Sequence, residues 1–219
     1  MIKKLVSIIA LIMTMVVLSA SAYAYSNEFY SVEEGEGFKQ STLNEALVLN
    51  SADKDGNINI EMNKAVEGKD YFTQEEIEAA KISLTQQFKE YNLEVDKAEI
   101  QTFTPNNYRC IYIESHAKYG EKDIFFRQYL VYSGKYNYVI TVTTYKSETA
   151  DTDKYKNVVN SFKVTDYTGK YDLKDADKPQ SEENKGIPTG LICGIVGGIV
   201  GGIATFFIVR SQQNKKGKK

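Results

Sequence analysis

Apolar residues follow three different rhythms along this chain. Continuous apolar runs occupy residues 5–18 and 187–209, helical spacing appears at 73–91 and 152–162, and alternation fills most of what lies between. Thr73 and Glu76 form a capping box, with Phe72 placed to staple onto Ile77. Ile77, Ala80, Leu84, Phe88 and Tyr91 then recur at spacings of three and four, while Glu75, Glu78, Lys89 and Glu90 take the opposite side. This spacing predicts one long amphipathic helix lying on a flat apolar surface. A shorter helix is predicted near 152–162 from the stripe Tyr155, Val158, Val159 and Phe162.

Alternation predicts strands. At 108–117, Arg109, Ile111, Ile113 and Ala117 point one way, and Tyr108, Cys110, Tyr112, Glu114 and His116 the other. Residues 123–132 and 136–145 are aromatic and β-branched, joined by Ser133, Gly134 and Lys135 in a short hairpin connection. Three adjacent antiparallel strands follow from such short links. Runs at 29–32, 46–50 and 57–62 predict earlier strands, with Asp53 to Gly56 as a turn. Strands in groups, with helices between and after them, indicate an α+β domain in which an antiparallel β-sheet is covered by one long and one short helix.

The end segments address the chain to a membrane. Lys3 and Lys4 precede a run of signal-peptide length that closes on Ala22, Tyr23 and Ala24, an A-x-A pattern predicting cleavage after Ala24 or nearby. Residues 187–209 are uncharged and long enough to span a bilayer as a transmembrane helix, and Arg210, Lys215, Lys216, Lys218 and Lys219 follow without an acidic residue. A basic tail stays cytoplasmic, so the expected product is a single-pass protein with its N-terminal domain outside. Ile187, Pro188, Thr189 and Gly190 lack the spacing of a wall-sorting L-P-x-T-G signal, which favours a permanent anchor. Gly190, Gly194, Gly198 and Gly202 recur every four residues, with Gly197 and Gly201 beside them, stripping one helix face of side chains. Such a face is suited to self-association or to a partner helix in lipid. The expected organisation is therefore a signal peptide at 1–24, an extracytoplasmic domain at 25–166, a polar stalk at 167–186, a membrane helix at 187–209 and a tail at 210–219. The stalk has too little apolar content to fold and would hold the domain roughly 25 Å from the bilayer.

Charge and cysteine usage narrow the class. All 29 acidic residues lie between the apolar ends, against 20 of the 27 basic ones, a side-chain net of −9 outside. An acidic domain excludes nucleic acid as its partner, because phosphate recognition needs clustered Lys and Arg. Cys110 and Cys193 would be separated by the membrane surface, so the domain is expected to fold without disulfides, with Cys110 a buried, inert thiol.

Candidate chemistry is sparse. Asp53, Asp55 and Gly56 resemble a calcium loop, but with Gly56 sixth the first position falls on Ser51 and the twelfth on Met62, where the acidic ligands should stand. A solvated turn is the expected reading. His116 is the single histidine and shares a strand face with Glu114; two ligands fall short of the three or four that zinc takes, so no metal or cofactor is expected. No nucleophile elbow or zinc-protease motif occurs. The 16 tyrosines include Tyr129, Tyr132, Tyr136, Tyr138 and Tyr145 around the hairpin, read as half-buried sheet residues ahead of a ligand-binding face.

In order and spacing the domain resembles the PsbP-like fold, named for an extrinsic subunit of photosystem II. The resemblance rests on Asn27 to Val32, Asn57 to Ile60, the long helix, Phe126 to Leu130, Tyr138 to Val142 and Val159 to Phe162. Where a proline-containing turn is usual after the first strand, this chain has Glu34, Gly35, Glu36, Gly37 and Phe38, so architecture transfers and binding residues do not. The resemblance implies a non-enzymatic extracytoplasmic binding or assembly domain meeting a protein or small ligand. The alternative is a cell-envelope enzyme or metal-dependent factor using Glu114 and His116.

Overall fold

The computed structural model describes residues 24–43, 46–64, 77–78, 81–82, 85–86, 92–103, 106–119, 121–133 and 136–165. The expected signal peptide, save Ala24 which opens the first strand, and the expected stalk, membrane helix with its glycines, and basic tail lie outside the described residues. Among those described, no helix is long and apolar enough to cross a membrane.

The alternating segments form an antiparallel sheet of seven strands in the order β3-β4-β5-β9-β8-β7-β6. These are β3 (Phe38–Leu43), β4 (Ala46–Ser51), β5 (Gly56–Lys64), β6 (Leu93–Phe103), β7 (Tyr108–Tyr119), β8 (Lys122–Tyr132) and β9 (Tyr136–Thr144). The three strands expected from short links, β7, β8 and β9, are neighbours in that order. A second sheet of three strands, β1 (Ala24–Ser26), β2 (Tyr30–Glu33) and β10 (Lys163–Val164), places β2 between the other two. The expected short helix is present at Asp153–Ser161, preceded by a 3-10 turn at Ser147–Asp151. Of the expected long helix, residues 77–78, 81–82 and 85–86 are described and are helical. Ile77 is 1% exposed and Ile82 61%, as a one-sided helix requires.

Strand register assigns side chains to two faces of the large sheet. The first face carries Leu47 and Leu49, Ile58 and Ile60, Tyr138, Ile140 and Val142, then Val131, Cys110, Tyr108 and Phe103 toward the other edge. These join Tyr30, Val32, Tyr155, Val158, Val159 and Phe162 from the small sheet and closing helix in one core. Phe162 is its joint, with Tyr30, Tyr138 and Phe103 rings at 5.6, 5.5 and 6.2 Å. Burying so many rings in edge and tilted contacts supplies apolar area and favourable ring geometry together.

The second face is buried as well, but it is mixed. Ile113, Ile124, Phe126, Leu93 and Val95 provide its apolar part, whereas Asn57, Asn59, Thr141, Thr143, Gln128 and Ser115 make a buried polar stripe. Asn57 Oδ1, Asn59 Oδ1, Ser115 Oγ and Thr143 Oγ1 have no hydrogen-bond partner among the described residues. Internal water usually completes such groups. At the end of this stripe Asn59 Nδ2 donates to Glu61 Oε1 at 2.7 Å. Burial pushes the Glu61 carboxyl above its ordinary value of 4.5, and the Asn59 bond only partly opposes this. A carboxyl with a raised folded-state value holds its proton more tightly when folded, so its ionisation destabilises the fold as pH climbs past 4.5. Glu61→Gln is therefore expected to raise the melting temperature at pH 7 and to flatten its decline between pH 4.5 and 7. Thermal unfolding across that range measures it, and a melting temperature lowered at pH 7 would refute it.

Candidate functional site

The first face is not apolar along its whole length. The closing helix and small sheet pack on β3, β4, β5 and β9 and on the Phe103, Tyr108, Cys110 and Val131 ends of their neighbours. At the other end of β6, β7 and β8 the same face turns polar and half-exposed, through Lys97, Glu99, Glu114, His116, Phe125, Arg127 and Tyr129.

A bulge builds the rim of this surface. β6 pairs with β7 in register from Phe103 opposite Tyr108 back to Lys97 opposite Glu114; the register then shifts, and Val95 opposes Ser115 and Glu94 opposes His116. Val95 and Ala98, three apart rather than two, are both buried, at 7% and 6% exposure. Keeping both on the second face requires one extra residue between them, and that residue turns outward. The outcome is that Asp96 joins Glu94 beside His116. Asp96 Oδ2 lies 2.8 Å from His116 Nδ1, and Glu94 Oε2 lies 3.7 Å from Nε2. One ligand atom from each of Glu94, Asp96 and His116 lies within 4.8 Å of the others, making this the residue group that could hold a metal among those described.

Inward from the rim, the polar groups are paired. The Tyr112 hydroxyl donates to Glu114 Oε1. Burial first, and the Glu114 contact second, hold the Tyr112 phenol far above its ordinary range, so it stays a donor. Burial also pushes Tyr129 up to about 12, and the two tyrosine rings stand 5.0 Å apart. Arg127 grips Asp151 of the 3-10 turn through both guanidinium nitrogens, at 2.6 and 2.7 Å, and reaches the Ser147 carbonyl at 3.3 Å. That fork keeps Arg127 charged and holds the Asp151 carboxyl below its usual range. Lys97 Nζ pairs with Glu99 at 2.8 Å and sits 5.6 Å from the Tyr112 ring centroid. Five carboxylates, Glu94, Asp96, Glu99, Glu114 and Asp151, thus share this end of the sheet with four permanent cations: Lys97 and Arg127, Lys156 at 3.5 Å from Asp151 Oδ1, and Lys81 on the Asp96 carbonyl at 3.3 Å. The surface is acidic, rich in phenol donors, and rigidly cross-linked to the closing elements.

The residues singled out in the sequence fare differently. Glu114 and His116 do share a face, but each has its own partner: Glu114 takes Tyr112, and His116 takes Asp96. Cys110 is buried as expected, and desolvation pushes its thiol up to about 12, so it supplies no thiolate. Ser115, next to His116 in sequence, is buried on the opposite face of the sheet, so the two cannot form a nucleophile and base pair. The Asp53 and Asp55 turn holds a cation of the protein's own. Lys154 Nζ bonds Ser51 Oγ at 2.6 Å, Asp53 Oδ2 at 2.7 Å and Asp55 Oδ1 at 3.5 Å, and Tyr155 donates to Asp55 Oδ1 at 2.7 Å. Burial would raise Asp55, but the Ser51 and Tyr155 hydrogen bonds and the Lys154 charge together keep it below its ordinary value. Tyr138 is fully buried, and Tyr129 and Tyr136 are half-buried against the core, as the sheet reading expects of these three hairpin tyrosines. Glu94 and Asp96 escaped sequence reasoning; the signal available was a break of alternation between Val95 and Ala98 in an otherwise strand-like stretch.

No protein-family profile matches the chain, and no curated protein resembles it in sequence. Solved structures resemble its fold, and they include PsbP-like and Mog1p-like proteins. The cyanobacterial PsbP, CyanoP, of Synechocystis sp. PCC 6803 is 14% identical with a TM-score of 0.48, over 64% of this chain and 91% of that one. The Saccharomyces cerevisiae Ran-binding protein Mog1p is 10% identical with a TM-score of 0.40, over 63% of this chain and 90% of that one. A protein of Bacteroides thetaiotaomicron is 15% identical with a TM-score of 0.45; 64% of this chain matches 47% of that one.

Proposed function

We propose that the chain is a single-pass, membrane-anchored extracytoplasmic binding or assembly module, and that the acidic, tyrosine-lined end of β6, β7 and β8 is its contact surface. The observation that carries this reading is that polar end of an otherwise buried sheet face. Packed sheet faces are normally apolar throughout; here Glu99, Tyr112, Glu114, Arg127 and Tyr129 replace the apolar residues that continue the same strands toward the core. Phenol rings and fixed charges provide area and orientation at low entropic cost, which suits recognition. The exposed rim carboxylates Glu94 and Asp96 suit a partner that presents a cationic group. The inert Cys110 and the separation of Ser115 from His116 favour binding over covalent catalysis.

Site-specific photo-cross-linking in intact cells tests the surface. A cross-linker replacing Lys97 is expected to yield one discrete heavier species, whereas the same group at Lys39 on the opposite sheet edge is expected to yield none. Equal adducts from both positions, or none from Lys97, would refute the assignment of this face. Added protease should meanwhile degrade the domain in intact cells and leave the basic tail; a protected domain would refute the topology.

A further inference from the structure

We infer that Glu94, Asp96 and His116 form a binding site for a borderline divalent transition metal, with Zn²⁺ the best-fitting ion. The ligand types decide the class. One imidazole with two carboxylates is too nitrogen-rich to favour magnesium or calcium, and it lacks the thiolates that favour copper(I) or an iron–sulfur cluster. Three protein ligands with solvent filling the rest is the pattern of an open zinc site.

Geometry supports the same conclusion. The three ligand atoms lie within 4.8 Å of one another. A tetrahedral ion with bonds of about 2.1 Å needs its ligands about 3.4 Å apart, so an ion would open the 2.8 Å contact of Asp96 with His116 slightly and draw Glu94 inward. Asp96 meets Nδ1 at 2.8 Å, where an ion would replace the hydrogen bond, and Glu94, now nearer Nε2, is 72% exposed and so able to swing to that side of the ring. Phe125, with its ring centroid 6.0 Å from that of His116, backs the imidazole and restricts its rotation. Lys81, from the helical residues 81–82, does not occupy the site: its Nζ donates to the Asp96 carbonyl at 3.3 Å, leaving the carboxylate to His116. Lys97 is held by Glu99. This contrasts with the Asp53 and Asp55 turn, where Lys154 already supplies the cation.

The bulge explains why the strand pattern alone conceals the site. In a regular ladder Asp96 would oppose Glu114; the register shift brings it to His116 and pairs Lys97 with Glu114. The site is a product of one inserted residue.

Calorimetric titration of ZnCl₂ into the untagged full chain in detergent micelles at pH 7 tests this. One zinc per chain is expected, with affinity lowered at least tenfold by Asp96→Asn and by His116→Gln. Glu114→Gln is expected to leave zinc affinity unchanged, because Glu114 is engaged by Tyr112. Manganese should bind more weakly than zinc, as its place in the divalent affinity order dictates when an imidazole is a ligand. Zinc binding that survives His116→Gln would mean carboxylate attraction only and overturn the site, as would manganese binding more tightly than zinc. Unchanged melting temperatures of the metal-free variants verify that each comparison is made between folded proteins.

Discussion

Phe162→Ala is expected to cost about 3–5 kcal/mol. Phe162 is wholly buried, and its ring touches aromatic residues of the small sheet, of β9 and of β6 together, through Tyr30, Tyr138 and Phe103. Truncation would remove apolar area and leave a cavity at the seam between two sheets, where rigid rings on three sides cannot collapse inward. Its backbone is pinned as well: the carbonyl accepts from Asn106 Nδ2 at 2.6 Å and the N–H bonds the Val159 carbonyl at 3.2 Å. The chain has no tryptophan, so urea unfolding followed by tyrosine emission reports the change. A loss below about 1 kcal/mol would show that the seam does not depend on this ring.

Gly56→Ala is expected to be nearly as damaging, for a different reason. Its φ is not in the left-handed region, so backbone conformation is not the issue. A β-carbon there would lie 2.2 Å from the Thr143 carbonyl oxygen, 2.7 Å from the Tyr155 hydroxyl and 2.9 Å from Thr144 Cγ2. The first contact is with the backbone of the paired strand, which cannot move without opening the β5 and β9 ladder. Overpacking of this kind costs about 1–3 kcal/mol or more. Gly37→Ala is the instructive control: its φ of +83° brings strain, yet its β-carbon would meet only the flexible Lys154 Cε at 3.6 Å. Left-handed strain alone costs about 1–2 kcal/mol. Chemical unfolding of both variants separates the mechanisms, and a Gly56→Ala loss no greater than that of Gly37→Ala would discard the close-approach explanation.

Much of the fold was readable because core burial imposes a period. Alternation located β7, β8 and β9 to within two residues at each end, and the stripe Tyr155, Val158, Val159 and Phe162 located the closing helix. β6 was not readable, because it carries Glu94, Asp96, Lys97 and Glu99 on its polar side and its bulge breaks the period between Val95 and Ala98. β1, β3 and β10 were missed for a related reason. Two are no longer than three residues, and β3 is an edge strand whose residues Lys39, Gln40, Ser41 and Thr42 are exposed. The site divides the same way. Glu114 and His116 were placed on one face correctly because they belong to one strand. Tyr112, the partner of Glu114, lies two residues away on that same strand face; Asp96, the partner of His116, and the placing of Arg127 opposite Glu114 follow from pairing and register, which no local spacing encodes. The Asp53 and Asp55 turn teaches the converse: its acidic residues were conspicuous, but their cation lies about a hundred residues away at Lys154, beyond the reach of motif spacing.

The small sheet also determines how the domain bears mechanical load. β10 is the last described strand before residue 166, and it is fastened beside β2 by a two-residue ladder, by Thr165 N–H to the Phe29 carbonyl at 2.8 Å and by Val164 N–H to the Tyr108 hydroxyl at 3.2 Å. Tension arriving along the chain from residue 166 therefore acts first on this short clasp rather than on the long ladders of the seven-stranded sheet. Once the clasp parts, the next residue drawn upon is Phe162, so this short fastening at 163–165 and the keystone of the core are direct neighbours on the same pulling line.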